Sequence, residues 1–92
     1  MEWQVVIHKR VRMNLRKIPK SVHEIFNRLV IELQNSGPIQ HRWQNFSKLT
    51  GNRFHCHLKK GKPTYVAVWE VTNNEIRILE VTYAGTHENA PY

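Results

Sequence analysis

Ninety-two residues are enough for one domain, spanning residues 1–92, with a core of modest size. Fourteen Lys and Arg against seven Asp and Glu give a net charge of +7, which points to a polyanionic partner: RNA, DNA, an anionic membrane surface or an acidic protein. No apolar run approaches membrane-spanning length and the N-terminus lacks a signal-peptide pattern, so the chain is expected to work in the cytoplasm, neither inserted nor exported. Cys56 is the single cysteine and is expected to be a reduced core residue.

Trp3 to His8 alternates Trp3, Val5 and Ile7 with Gln4, Val6 and His8, the period of a first strand. From Lys9 to Lys17 the spacing becomes helical: Val11, Leu15 and Ile18 recur among Arg10, Arg12, Arg16 and Lys17, which predicts a short basic helix. Pro19 opens the next element, and Ser21 followed by Glu24 has the spacing of a capping box. Val22, Ile25, Phe26, Leu29, Val30 and Leu33 form the apolar stripe of a second helix, which Ser36-Gly37-Pro38 ends.

Residues 38–52 read as a connection tacked to the core by Trp43, Phe46 and Leu49. Three antiparallel strands are predicted to follow. They are Arg53–Lys59, Thr64–Val71 after a turn at residues 60–63, and Glu75–Tyr83 after a turn at Asn73-Asn74. The order β-α-α-β-β-β makes an α+β fold, with two helices on one face of a mostly antiparallel four-stranded sheet.

The chemistry concentrates on the strand Arg53–Lys59. Phe54, Cys56 and Leu58 give it an apolar side, while Arg53, His55, His57 and Lys59 alternate with them on the other. Residues two apart on a strand stand roughly 6–7 Å apart at Cα, so neighbouring imidazoles can reach one phosphate. Histidine exchanges protons near neutral pH and the flanking cations can hold a phosphodiester, a combination suited to nucleic-acid cleavage. His55-x-His57 also has the spacing of a metal pair, with His87 or Glu88 as a third ligand, but Arg53 and Lys59 would repel a dication. No metal or cofactor is expected. Trp69 is expected in the core, and His8, His23 and His41 in structural roles.

The strands Arg53-Phe54-His55-Cys56-His57-Leu58-Lys59, Tyr65–Val71 and Ile76–Val81, and the ending Gly85-Thr86-His87-Glu88 with a late Tyr92, together resemble the RelE/ParE-type bacterial toxins. The resemblance covers nearly the whole chain. It implies the toxin of a toxin–antitoxin pair, whose partner is a cognate antitoxin and whose oligomeric state is set by that complex. RelE-like members cut mRNA in the decoding site of the ribosome, whereas ParE-like members act on DNA gyrase without the basic catalytic set. Arg53, His55, His57, Lys59 and His87 place the chain nearer the nuclease branch. It departs from the family in having Tyr65 and Val66 where many members carry an arginine, and histidines where many carry lysine or arginine.

The expected reaction is metal-independent: the 2′-hydroxyl attacks the adjacent phosphorus, leaving a 2′,3′-cyclic or 3′-phosphate and a 5′-hydroxyl. His57 is the expected base and His87 the acid, with His55 able to exchange with either, and Gly85 turning the tail over the sheet. Lys59 and Tyr92 complete the catalytic set. Arg53, Lys60, Lys62, Arg10, Arg12 and Arg16 are the expected phosphate contacts, and Tyr65 and Tyr92 the base-stacking rings. The alternatives are a non-enzymatic inhibitor of gyrase built on the same fold, and a harmless nucleic-acid-binding module.

Overall fold

A computed structural model describes residues 2–92. The first strand, β1 (Gln4–Ile7), ends at His8, whose Nδ1 accepts the Arg10 N–H at 3.0 Å and so caps the first helix, α1 (Lys9–Leu15). The helix stops short of Lys17, because the Lys17 N–H closes onto Asn14 O at 2.9 Å in a tighter turn. Val11 and Leu15 are its buried residues.

The second helix, α2 (Lys20–Ser36), begins two residues earlier than a Ser21 cap requires. The Pro19 carbonyl accepts the Val22 and His23 N–H groups, both at 3.0 Å. Ser21 therefore lies inside the first turn, and no side chain caps this helix. Its stripe buries Val22, Phe26, Leu29 and Leu33, each contributing about 1.5–3 kcal/mol of transfer free energy. Gly37 ends the helix at φ 86°, in the left-handed region. A Cβ there would stand 2.6 Å from Trp3 Nε1, so the position needs glycine for space as well. The Trp3 N–H donates to Gln34 O at 2.7 Å and ties the start of the sheet to the helix end.

The following connection is pinned rather than loose. Trp69 Nε1–H donates to Pro38 O at 3.0 Å, and the buried Gln40 amide donates to Gly37 O at 2.8 Å. Phe46 stacks on Phe54 and on Trp69, with ring centroids 5.9 and 6.1 Å apart.

Among the described residues the sheet has five strands where four were expected, and it is mixed. β2 (Ser47–Lys48), β3 (Arg53–Lys59), β4 (Tyr65–Asn73) and β5 (Ile78–Thr86) stand with β1 in the order β1-β5-β4-β3-β2. β1 runs parallel to β5, and the other neighbours are antiparallel. The extra strand forms because residues 49–52 turn the chain back, laying Ser47 opposite His55 and Lys48 opposite Phe54. β5 begins three residues later than its expected start at Glu75. Asn73 Oδ1 accepts the Glu75 and Ile76 N–H groups at 3.0 and 3.1 Å, and Arg77 adopts φ 57°, so residues 74–77 form the turn.

The helices cover one face of this sheet, and Cys56, Leu58, Ala67, Trp69, Leu79 and Val81 are buried against them. Val66 and Val68 belong to the other face and are fully buried too. They stand opposite His57 and His55, where the tail crosses.

Candidate active site

The alternation of β3 carries Arg53, His55 and His57 to the face away from the helices. The tail brings two more rings to them. Tyr83 and Gly85 follow each other on that face of β5, opposite Val68 and Val66. The Tyr83 phenol lies across Gly85, in the space a Cβ would occupy at 2.8 Å from its hydroxyl, and donates to Thr86 O at 2.6 Å. Gly85 thus makes room for a ring within the strand and is not the bend. The bend is the 3-10 turn His87–Asn89, which the His87 N–H fastens to Thr64 O at 2.8 Å.

Four rings result in one cluster. His55 and His57 have centroids 6.0 Å apart, and His57 and His87 are 5.6 Å apart. Tyr92 lies 4.6 Å from His55 and 5.9 Å from His87. His57 and His87 wall a cleft of about 620 Å³ with the turn residues 61–64 and Glu88, and Lys62 is its cationic member. Among the described residues no group of three His, Cys, Asp or Glu side chains is placed to hold a metal ion.

The two strand histidines differ in their hydrogen bonding. His55 is 9% exposed, and its Nδ1 shares a 3.0 Å hydrogen bond with Ser47 Oγ in which either end can donate. Among the described residues, His57 Nδ1 is buried with no hydrogen-bond partner. Burial is the main cause holding both below the ordinary imidazole value. For His55 a hydrogen bond to the Ser47 backbone opposes the shift and the charge of His87 adds to it. For His57 the charges of His55, His87 and Lys60 all add to it. Both are therefore neutral at neutral pH. Burial likewise raises the Tyr92 phenol, which stays protonated, and pushes the Cys56 thiol up to about 12. Cys56 is an inert core residue.

Several anticipated members stand elsewhere. The pairing of β3 with β4 shifts between His57 and Lys59, so Lys59 falls opposite Tyr65, not in line with the histidines. The lysine whose charge reaches His57 is Lys60. Tyr65 alternates with Val66 and so faces the helices, packed against the core, not the histidines. Arg53 shares the histidine face, but its guanidinium turns back to the carbonyl and hydroxyl of Thr50, at 3.5 and 3.4 Å. Arg10 and Arg12 on α1, and Arg16 just after it, are exposed and contribute nothing to the cleft. Ser47 was not anticipated. A two-residue strand inside a connection carries no period by which sequence could reveal it.

No protein-family model matches the sequence, and no curated protein matches it. Solved structures do. A free-state mutant of the E. coli toxin RelE superposes with a TM-score of 0.70 at 22% identity, over 92% of this chain and 83% of that one. The archaeal RelE-RelB complex from Pyrococcus horikoshii OT3 gives 0.70 at 20%, over 98% of this chain and 100% of that one. The isolated E. coli RelE toxin gives 0.70 at 21%, over 97% and 88%. What is shared at such identities is the architecture, from β1 to the tail: this chain has the RelE fold.

Proposed function

We propose that this chain is the toxin of a toxin–antitoxin pair and cleaves mRNA on the ribosome, without a metal, by attack of the 2′-hydroxyl on phosphorus. The observation that carries the reading is the meeting of His55, His57, His87 and Tyr92 in one cluster, with His57 and His87 lining a cleft, on a RelE-like fold. The archaeal RelE is recorded with RelB, which supports an antitoxin as partner here. A basic chain of this size is complementary to an acidic protein segment that covers the cleft. The ribosome and a cytoplasmic site of action follow from the family resemblance.

Hydrogen bonding divides the roles among the imidazoles. A neutral imidazole has one N–H donor and one lone pair. His57 Nδ1 has no acceptor near it, and a buried orphan N–H is a rare and costly arrangement. The proton of His57 therefore sits on Nε2, which makes this ring a neutral donor to a phosphoryl oxygen and a poor base. His55 has Ser47 to accept from Nδ1, which frees Nε2 as the base that takes the 2′ proton. The base role expected for His57 thus passes to its neighbour. His87, exposed at the cleft wall, protonates the departing 5′ oxygen. Lys60 and Lys62 hold the phosphate, and Tyr92 orients a base or the ribose beside His55.

Mapping of RNA 5′ ends after a short induction tests this. The native chain should produce cuts at a fixed position within codons and arrest growth. H55A/H87A should abolish the cuts, a loss of at least about 10²-fold for each acid–base group. Growth arrest that persists in H55A/H87A with intact messages would instead mark an inhibitor acting on another target, such as gyrase.

A further inference from the structure

His57 borders a second cleft, of about 330 Å³, whose walls include Arg28, Glu32, Arg42, Trp43 and Gln44. Arg28 comes from α2, while Arg42 and Trp43 come from the connection before β2. The Arg28 guanidinium lies 5.6 Å from the centre of the Trp43 ring. That ring is held in turn by its Nε1–H, which donates to Glu32 Oε1 at 3.0 Å. A guanidinium laid on an indole keeps its N–H edge free for an oxyanion. The His57 N–H donates to Gln44 O at 2.7 Å, which fastens the loop bearing Arg42 and Trp43 to the strand bearing the imidazoles. Both arginines are exposed, and among the described residues neither has a carboxylate partner.

We propose that Arg28 and Arg42 form a subsite for one phosphodiester of single-stranded RNA, next to the phosphate that is cut. The inference rests on the nuclease reading and adds the path of the strand: past Lys62 and His87, across His57, and on to the two guanidiniums. The shared wall at His57 makes the two clefts neighbours, as consecutive phosphates of one strand require. An acidic peptide fits less well. It would bring apolar side chains to a cleft whose Trp43 face is already occupied by Arg28. Glu32, with one oxygen engaged by Trp43, leaves net positive charge suited to a singly charged phosphodiester.

The test is binding of uncleavable RNA, 2′-O-methylated throughout, as a dinucleotide and as a hexamer, to the native chain and to R28A/R42A. The native chain should favour the hexamer, and R28A/R42A should lose roughly tenfold of that preference. The slope of log K against log salt for the hexamer should fall by about 0.7, the value for one phosphate of a single strand. R28K/R42K, which keeps the charge, should keep the slope while losing part of the affinity. Unchanged hexamer binding in R28A/R42A, or loss of poly-glutamate binding alone, would overturn the subsite. Hexamer binding by the native chain without any cleavage of unmodified mRNA on ribosomes would sink the nuclease reading and leave the subsite standing.

Discussion

His55 is the residue at which burial, hydrogen bonding and proposed chemistry coincide. In an unfolded chain it titrates near 6.5, and in the fold its value is lower, chiefly through burial. Between those two values the unfolded chain holds a proton that the folded chain does not. Stability that is fully present above the unfolded value is therefore lost as pH falls through that interval. His57 shifts in the same direction and adds to the effect. Thermal melts from about pH 8 to about pH 5 should show Tm falling once pH drops below about 6.5, and H55Q should flatten the fall. An equal fall in H55Q would assign the acid sensitivity to other groups. Alternation along β3 was enough to place His55 and His57 on one face. It failed two residues later, since nothing in Lys59 or its neighbours marks the register shift that carries it out of line.

Among the elements, β5 decides the shape of the cleft, and Gly85 decides where the Tyr83 ring lies. A Cβ at Gly85 would push the phenol off, breaking its 2.6 Å bond to Thr86 O just before the turn that presents His87. G85A should lose about 1 kcal/mol in urea unfolding and reduce the proposed RNA cleavage by more than that loss explains, because His87 shifts. Full activity in a G85A protein destabilised by the same amount would show the tail to be independent of this contact. The α2 stripe and the β3 span were legible from periodicity alone, since each buries one regular face. The limits of β5 were not. Glu75, Ile76 and Arg77 alternate like a strand, but the Asn73 side chain captures the backbone of Glu75 and Ile76 first. The capping box misled for a similar reason: Pro19, with its φ of −58°, starts the helix before Ser21 can.

Across the whole molecule, the first strand in sequence lies beside the last, in parallel: Gln4 opposite Ile78 and Ile7 opposite Val81. Local pattern reports which residues face inward, not which strand stands next to which, so the parallel pairing of β1 with β5 was not readable from the chain. Its helix-covered architecture was, because the apolar faces admit few other packings. Without β5, β1 loses its neighbour and β4 loses one edge. A fragment of residues 1–77 should show no cooperative thermal transition by circular dichroism, and a sigmoidal melt from that fragment would contradict the account. The same pairing has a bearing on when the chain acquires its site. During synthesis, the polypeptide holds neither the complete sheet nor its full set of rings until residues 78–92 have emerged. The cluster of imidazoles therefore assembles late, however early β3 and β4 pair.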